Sequence, residues 1–227
     1  MTDESRTARV AAIAALDEPN RRRLYDFVAE QTGPVSRDDA AEATGLARAT
    51  AAFHLDRMVT DGLLNVVYER RSGRSGPGAG RPAKLYRRSP DEIAVSLPDR
   101  RYELAGNLLA DALQQAESTG ESPRAVLDRR ARLVGADLGR RARSHVDGRT
   151  TALHALADLG FEPRADGTSI VLANCPFHGL AERHAAMVCG MNLCLLEGVL
   201  DGLSATGLTA RLDPRQGHCC VRIETEP

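Results

Sequence analysis

The chain has 227 residues, with 30 Lys and Arg against 31 Asp and Glu and 42% apolar residues. That length allows two small domains or one large one, and the balanced composition excludes a low-complexity chain or a tail of like charge. No run of about eighteen apolar residues occurs, so a transmembrane helix is not expected, and the polar, acidic start "MTDESRTARV" is unlike a signal peptide, which predicts a cytoplasmic protein.

In chain order, "TARVAAIAAL" predicts a first helix and "LDEPNRRRLYDFVAEQ" a second, with Asp17 as N-cap and Pro19 in the first turn. Leu24, Phe27 and Val28 give the second helix an apolar stripe. After "QTGP", the segment "SRDDAAEATGL" predicts a short helix with Ser36 and Asp39 as a capping box, ending at Gly45. A longer helix, "ARATAAFHLDRMVTDG", starts almost at once. A short helix, a glycine turn and a longer helix are the parts of a helix-turn-helix.

In that longer helix, Ala51, Leu55 and Met58 should pack inward. Ala49, Thr50, Phe53 and Arg57 fall on the opposite side, with Arg48 at the start. Small, polar and basic groups there suit a helix that enters the major groove, where Phe53 can meet a thymine methyl. Packing of Phe53 on a neighbouring domain or subunit is the alternative. Next, "LLNVVYER" and "AKLYRR" predict a hairpin whose long tip is rich in Gly, Ser and Arg. Arg70, Arg71, Arg74, Arg81 and Lys84 make it a candidate for following phosphates or entering a minor groove.

"GLARATAAFHLDRMVTDGLL" followed by "GRPAKLYRRS" resembles the winged helix-turn-helix of ArsR-like bacterial transcriptional regulators, over roughly residues 11–89. The resemblance implies that residues 47–61 are the recognition helix and residues 70–84 the wing.

Beyond residue 90, "SPDEIAVSLPDRR" predicts a linker with strand character, and "RRYELAGNLLADALQQAE" a helix whose broad apolar face serves either an intramolecular core or a second subunit. Ser122 caps "PRAVLDRRARLVGADLGRRAR", whose arginines are expected to be solvated or paired with acids. "TTALHALADLG" is a shorter helix. Two strands around "ADG", the long helix "HGLAERHAAMVCGMNLCLLEGVLDGLSA" and the hairpin "LTARLDPRQGHCCVRIE" complete an α+β arrangement.

The five cysteines are expected to be reduced, and their odd number suits a disulfide framework poorly. As ligands, Cys175 and Cys189 face a geometric constraint. One continuous helix from Cys175 would separate them by about 20 Å, so "PFHG" must fold back or the helix must start late, near His184. Strand alternation places Cys219 with Val221 and Ile223 as a core thiol and leaves Cys220 freer. Cys194 reads as core, and all five read equally as small apolar residues.

"LANCPF", "LAERHAAMVCGMN", "LLEGVLDGL" and "ARLDPRQGHCCVRI" together resemble the effector domain of the ArsR-like branch that includes the iron–sulfur-sensing SUF-operon repressor (SufR). That resemblance implies an iron–sulfur cluster held by Cys175, Cys189 and either Cys219 or Cys220.

The expectation is therefore a mostly α protein with small β-sheets. Residues 1–90 form a winged helix-turn-helix, 91–120 a linker and candidate dimerisation helix, and 121–227 an α+β effector-sensing domain. The expected function is that of a homodimeric regulator of transcription, bound to double-stranded DNA and not to a membrane. Sensing of a small organic ligand or of thiol oxidation without metal is the alternative. A thiol enzyme using Cys175 and His178 is a remote one, because no complete triad, phosphate loop or nucleotide fingerprint is readable.

Overall fold

The computed structural model describes residues 3–69, 82–143 and 148–225, which form two compact units, Met1–Val95 and Ser96–Pro227. The first unit runs α1 (Asp3–Ala15), α2 (Pro19–Glu30), β1 (Val35–Ser36), α3 (Arg37–Thr44), α4 (Arg48–Thr60), β2 (Leu64–Glu69) and β3 (Ala83–Arg88). Local chemistry sets its boundaries. Pro19 starts α2, and Glu18, rather than Asp17, caps it by accepting from the Asn20 and Arg21 amides. Ser36 Oγ accepts from the Asp39 amide at 3.2 Å while Asp39 Oδ2 accepts from the Ser36 amide at 3.0 Å, the reciprocal box that starts α3. Gly45, at φ 69°, ends α3 in the left-handed conformation that a residue without Cβ adopts cheaply, and α4 begins three residues later. The strands form an antiparallel sheet in the order β1-β3-β2. Leu24, Val28, Ala40, Ala51, Leu55, Met58, Leu64 and Tyr86 fill the core.

The second unit contains α5 (Tyr102–Thr119), α6 (Pro123–Ala142), α7 (Gly148–Asp158), β4 (Pro163–Asp166), β5 (Ser169–Leu172), α8 (His178–Leu203), β6 (Leu208–Leu212) and β7 (Val221–Thr225). The expected strand character of residues 89–101 is not realised; this stretch is irregular. The sheet is antiparallel in the order β4-β5-β7-β6. The apolar face of α5 turns inward through Ala105, Leu108, Ala112 and Ala116, while Leu113 stays exposed. The arginines of α6 pair with acids: Arg124 with Asp128, Arg130 with Asp111, and Arg132 with Glu197 and Asp201.

Helices α6 and α8 meet backbone to backbone. Gly135 and Gly139 of one helix and Gly198 and Gly202 of the other carry the contact; a Cβ at each would stand 2.0, 2.2, 2.1 and 2.2 Å from a carbonyl oxygen of the facing helix. Helix α8 is long and apolar enough to cross a membrane by length and composition, yet 56% of its apolar window is buried inside the protein, as a core helix would be. It is also broken. His184 has φ −134° and ψ 42°, so one short helical segment precedes it and a long one follows. Phe177, packed edge-on to Phe161 at 6.3 Å, anchors the first segment. Arg124 Nη1 donates to the Ala186 carbonyl at 3.0 Å and braces the start of the second.

Candidate nucleic-acid interface and thiol cluster

Helix α4 sorts its side chains by face. Ala51, Leu55 and Met58 are fully buried. Arg48, Ala49 and Arg57 are exposed, Thr50 is half-buried, and Phe53 is 67% exposed with its ring edge-on to His54 at 5.4 Å. A large aromatic side chain this open on a helix with a filled core face has no packing role within its unit. The nearby basic groups are paired: Arg48 donates to exposed Asp38 at 2.9 Å, and exposed Arg57 donates to largely buried Asp61 at 3.2 Å.

Lys84 lies on the root of the hairpin. Its ammonium donates to Asp56 of α4, and Tyr86 Oη donates to the same carboxylate oxygen at 2.7 Å. The ammonium also stands 5.3 Å from the centre of the Tyr86 ring. Burial alone would raise the Asp56 pKa; the hydrogen bonds from Lys84 and Tyr86 and the charge of Lys84 outweigh it and hold the carboxyl below its usual range. The same bond to Asp56 raises the Lys84 pKa. Asp56 thus joins α4 to β3, a role the sequence pattern did not reveal. Arg70, Arg71, Arg74 and Arg81 lie outside the described residues.

In the second unit, four of the five cysteines come together. Cys175 follows β5, Cys189 sits beyond the break in α8, and Cys219 and Cys220 immediately precede β7. The Cys219 amide donates to the Leu172 carbonyl at 2.8 Å, and the Asp213 amide donates to the Cys220 carbonyl at 2.8 Å, so both residues continue the sheet's bonding beyond the strand end. Cys219 raises the Cys175 pKa, Cys220 raises that of Cys219, and Cys220 lowers that of Cys189, so these thiols act on one another. Cys175 and Cys219 are buried, and Cys189 and Cys220 are half-buried. Asn192, with no exposed surface, donates from Nδ2 to Cys219 Sγ at 3.2 Å, while its Oδ1 has no partner. Cys194 lies apart, half-buried, with Arg132, Arg124, Asp128 and Glu197 around it.

The iron–sulfur centre expected at Cys175, Cys189, Cys219 and Cys220 does not fit this arrangement. Among the described residues, no group of three or more His, Cys, Asp or Glu side chains is placed to hold a metal ion, and all five cysteines are free thiols. The physical reason is placement: the sulfurs come from separate segments, and no three such described side chains surround one point. Burial and neighbouring thiols also raise the thiol pKa values. The hydrogen bond to Cys219 and burial push Cys175 far above the ordinary thiol range. The bond from Cys175 lowers the Cys219 value, but the bond that Cys219 makes to Cys220 and burial prevail and push it up to about 12. Burial raises Cys189 as well, against the lowering bond from Cys220. The iron–sulfur and metal-binding assignment is therefore withdrawn.

Two asparagines that sequence reasoning passed over organise the region. Asn174 is buried; its Oδ1 accepts from Arg100 at 2.6 Å, and its Nδ2 donates to the carbonyls of Gly160 and Asp99 at 2.6 and 3.0 Å. It fixes the loop that presents Cys175. Asn192 was hidden inside an apolar helical run. His178, the base of the remote enzyme reading, faces Glu182 at 3.4 Å on the surface rather than the Cys175 thiol.

Three helices, a glycine turn, a strand pair and an exposed second helix define a DNA-binding helix-turn-helix domain with a hairpin beside it. The comparison with protein families agrees: the family described as "Helix-turn-helix domain" matches residues 16–67. The match stops short of the second unit and names no branch of such regulators. No curated protein and no solved structure matches the chain significantly.

Proposed function

We propose that the chain is a regulator of transcription that binds double-stranded DNA as a homodimer through α4. The observation that carries the reading is the division of α4 into a fully buried face and an outer face bearing Arg48, Ala49, Phe53 and Arg57. The N-terminal turn and outer face reach base edges, with Thr50 and Phe53 as readers, and Arg48 exchanges its exposed partner Asp38 for a phosphate. Such an exposed pair is worth roughly 0–1 kcal/mol, so the exchange costs little. Arg70, Arg71, Arg74, Arg81 and Lys84 add positive charge from the segment 70–84 that the reading takes as the wing. Among the described residues, exposed apolar side chains suited to a subunit contact include Leu113 and Leu133 in the second unit and Val10 and Ile13 on α1. The second unit is the sensing part.

The test is selection of bound duplexes from a random library by the full chain, followed by fluorescence anisotropy on the enriched site. The reading expects an inverted repeat with half-sites about 10 base pairs apart or a multiple of that. It also expects affinity that drops steeply with salt and a loss of roughly 10-fold or more in Phe53→Ala and Arg48→Ala, the scale of one or two base-edge or phosphate contacts. Absence of any enriched sequence, with no duplex binding at about 50 mM salt, would sink it.

A further inference from the structure

Strand β3 ends in two exposed arginines, Arg87 and Arg88. Among the described residues, neither guanidinium group has a hydrogen-bond or ion-pair partner. By contrast, every arginine of α6 is paired with an acid. Both free arginines line a cavity of about 340 Å³ between the end of β3 and the end of α2. Val28 and Ala29 of α2, with Pro34 and Pro90, give this cavity apolar walls, and no acidic residue is among those that line it. The strand directs a backbone donor to the same edge. The Ser89 amide donates to the Leu63 carbonyl at 3.0 Å. In the alternating antiparallel pattern, Arg88 then turns its N–H away from β2, to the side that β1, which begins at Val35, leaves unpaired.

We propose that this cavity of the first unit binds a small organic carboxylate with an apolar body, of the size of a single aromatic ring. A guanidinium group pairs a carboxylate through two parallel N–H···O bonds, and the Arg88 amide is a further donor at the same edge. The apolar walls take the body of the ligand out of water. The volume lies near the lower end of ligand pockets, roughly 300–1,000 Å³, which leaves no room for a nucleotide or a peptide. The negative end of the α2 dipole opposes an anion with about half a charge, and two guanidinium groups outweigh it. Gln31 Nε2 also covers the Phe27 carbonyl at that end, at 3.2 Å. A duplex phosphate is the other anion that free arginines suit. Arg88, however, lies about 13 Å along the strand from Lys84, and a phosphate has no apolar body to place against Val28, Ala29, Pro34 and Pro90.

The test titrates benzoate into the nitrogen-15-labelled full chain without DNA, so its failure is distinct from failure of the DNA-binding reading. Proton–nitrogen correlation spectra should show saturable shifts at the Ala29, Gly33 and Arg88 amides. Benzamide, the neutral isostere, should bind about 10-fold more weakly or worse, because it forfeits the charge-assisted bonds. Inorganic phosphate, which lacks the apolar body, should be weaker by a similar factor. Replacing Arg87→Gln and Arg88→Gln together should weaken benzoate about 10-fold or more with circular dichroism unchanged, since both side chains are exposed. Ala29→Leu, which fills the cavity and leaves both charges in place, should weaken benzoate as well and decides the matter if the double variant fails to fold. No saturable shift at these amides, benzamide or phosphate binding as tightly as benzoate, or full benzoate affinity in Ala29→Leu would overturn the proposal. Loss of duplex affinity in the double variant, with no benzoate bound by the parent chain, would assign the two arginines to DNA phosphates instead.

Discussion

Replacing Gly198 by alanine tests the backbone contact on which the second unit is built. The added Cβ would stand 2.1 Å from the Arg132 carbonyl oxygen and 2.9 Å from the Ala136 nitrogen, both main-chain atoms that cannot rotate away. Carbon-to-oxygen approach is normally no closer than about 3.3 Å, so α6 and α8 must part by on the order of 1 Å, and the neighbouring contacts at Gly135, Gly139 and Gly202 loosen together. Overpacking of this kind costs roughly 1–3 kcal/mol or more, with the immobile partner favouring the upper end. The better helix propensity of alanine returns about 1 kcal/mol. A net loss of about 2 kcal/mol in a unit of this size corresponds to a fall of roughly 6–10 °C in Tm. The control is Gly106→Ala, on an exposed turn of α5 with nothing within 4 Å of its Cβ, which should melt at or slightly above the parent temperature. Scanning calorimetry of the full chain follows the second-unit transition directly. If Gly198→Ala melts within about 1 °C of Gly106→Ala, less than the shift expected for even 1 kcal/mol, the close helix contact is wrong.

Two further outcomes follow from the sites. Asp56→Asn should loosen the first unit by up to about 1 kcal/mol, the worth of the exposed ion pair with Lys84, since the amide oxygen still accepts from Tyr86. Because the Asp56 pKa is depressed in the folded chain, its contribution is full above the ordinary carboxylate value of about 3.9 and lost as pH falls through the folded value. Denaturant midpoints should therefore separate parent and variant at neutral pH and converge in acid; an equal gap at both would contradict the pairing. Iodoacetamide at pH 8 should alkylate Cys189, Cys194 and Cys220 in the folded chain and leave Cys175 and Cys219 unmodified until denaturant is added, since those two are both buried and held protonated. Equal labelling of all five under native conditions, read by peptide mass spectrometry, would contradict the burial.

The helix-turn-helix was legible because each of its boundaries is a local event. Ser36 and Asp39 close a box within one turn, Gly45 supplies a left-handed residue, and Ala51, Leu55 and Met58 repeat at helical spacing. The second unit was legible as element types but not as contacts. Gly135, Gly139, Gly198 and Gly202 look like helix-weakening residues in a list of propensities, and only the facing helix reveals why they are there. The capping of α2 shifted from Asp17 to Glu18, a one-residue change that propensity does not resolve. The cysteines show the limit most clearly. The wide spacing of Cys175 and Cys189 admitted a shared site only if the helix started late, and the break at His184 meets that condition. The iron–sulfur expectation nevertheless failed, because among the described residues no three of these side chains are placed around one point. Asp56, Asn174 and Asn192 carried no signal at all, since a polar residue's partner is set by distant parts of the chain.

The central claim, that α4 lies in the groove of duplex DNA, is tested most directly by a photoreactive benzoylphenylalanine placed at Phe53, with Leu113 and Leu133 as comparison positions. All three side chains are exposed in the free chain, so exposure alone does not distinguish them. Irradiation of the complex with its selected duplex should give a protein–DNA adduct from position 53 and none from positions 113 or 133. Adducts from the latter two with none from position 53 would contradict the account.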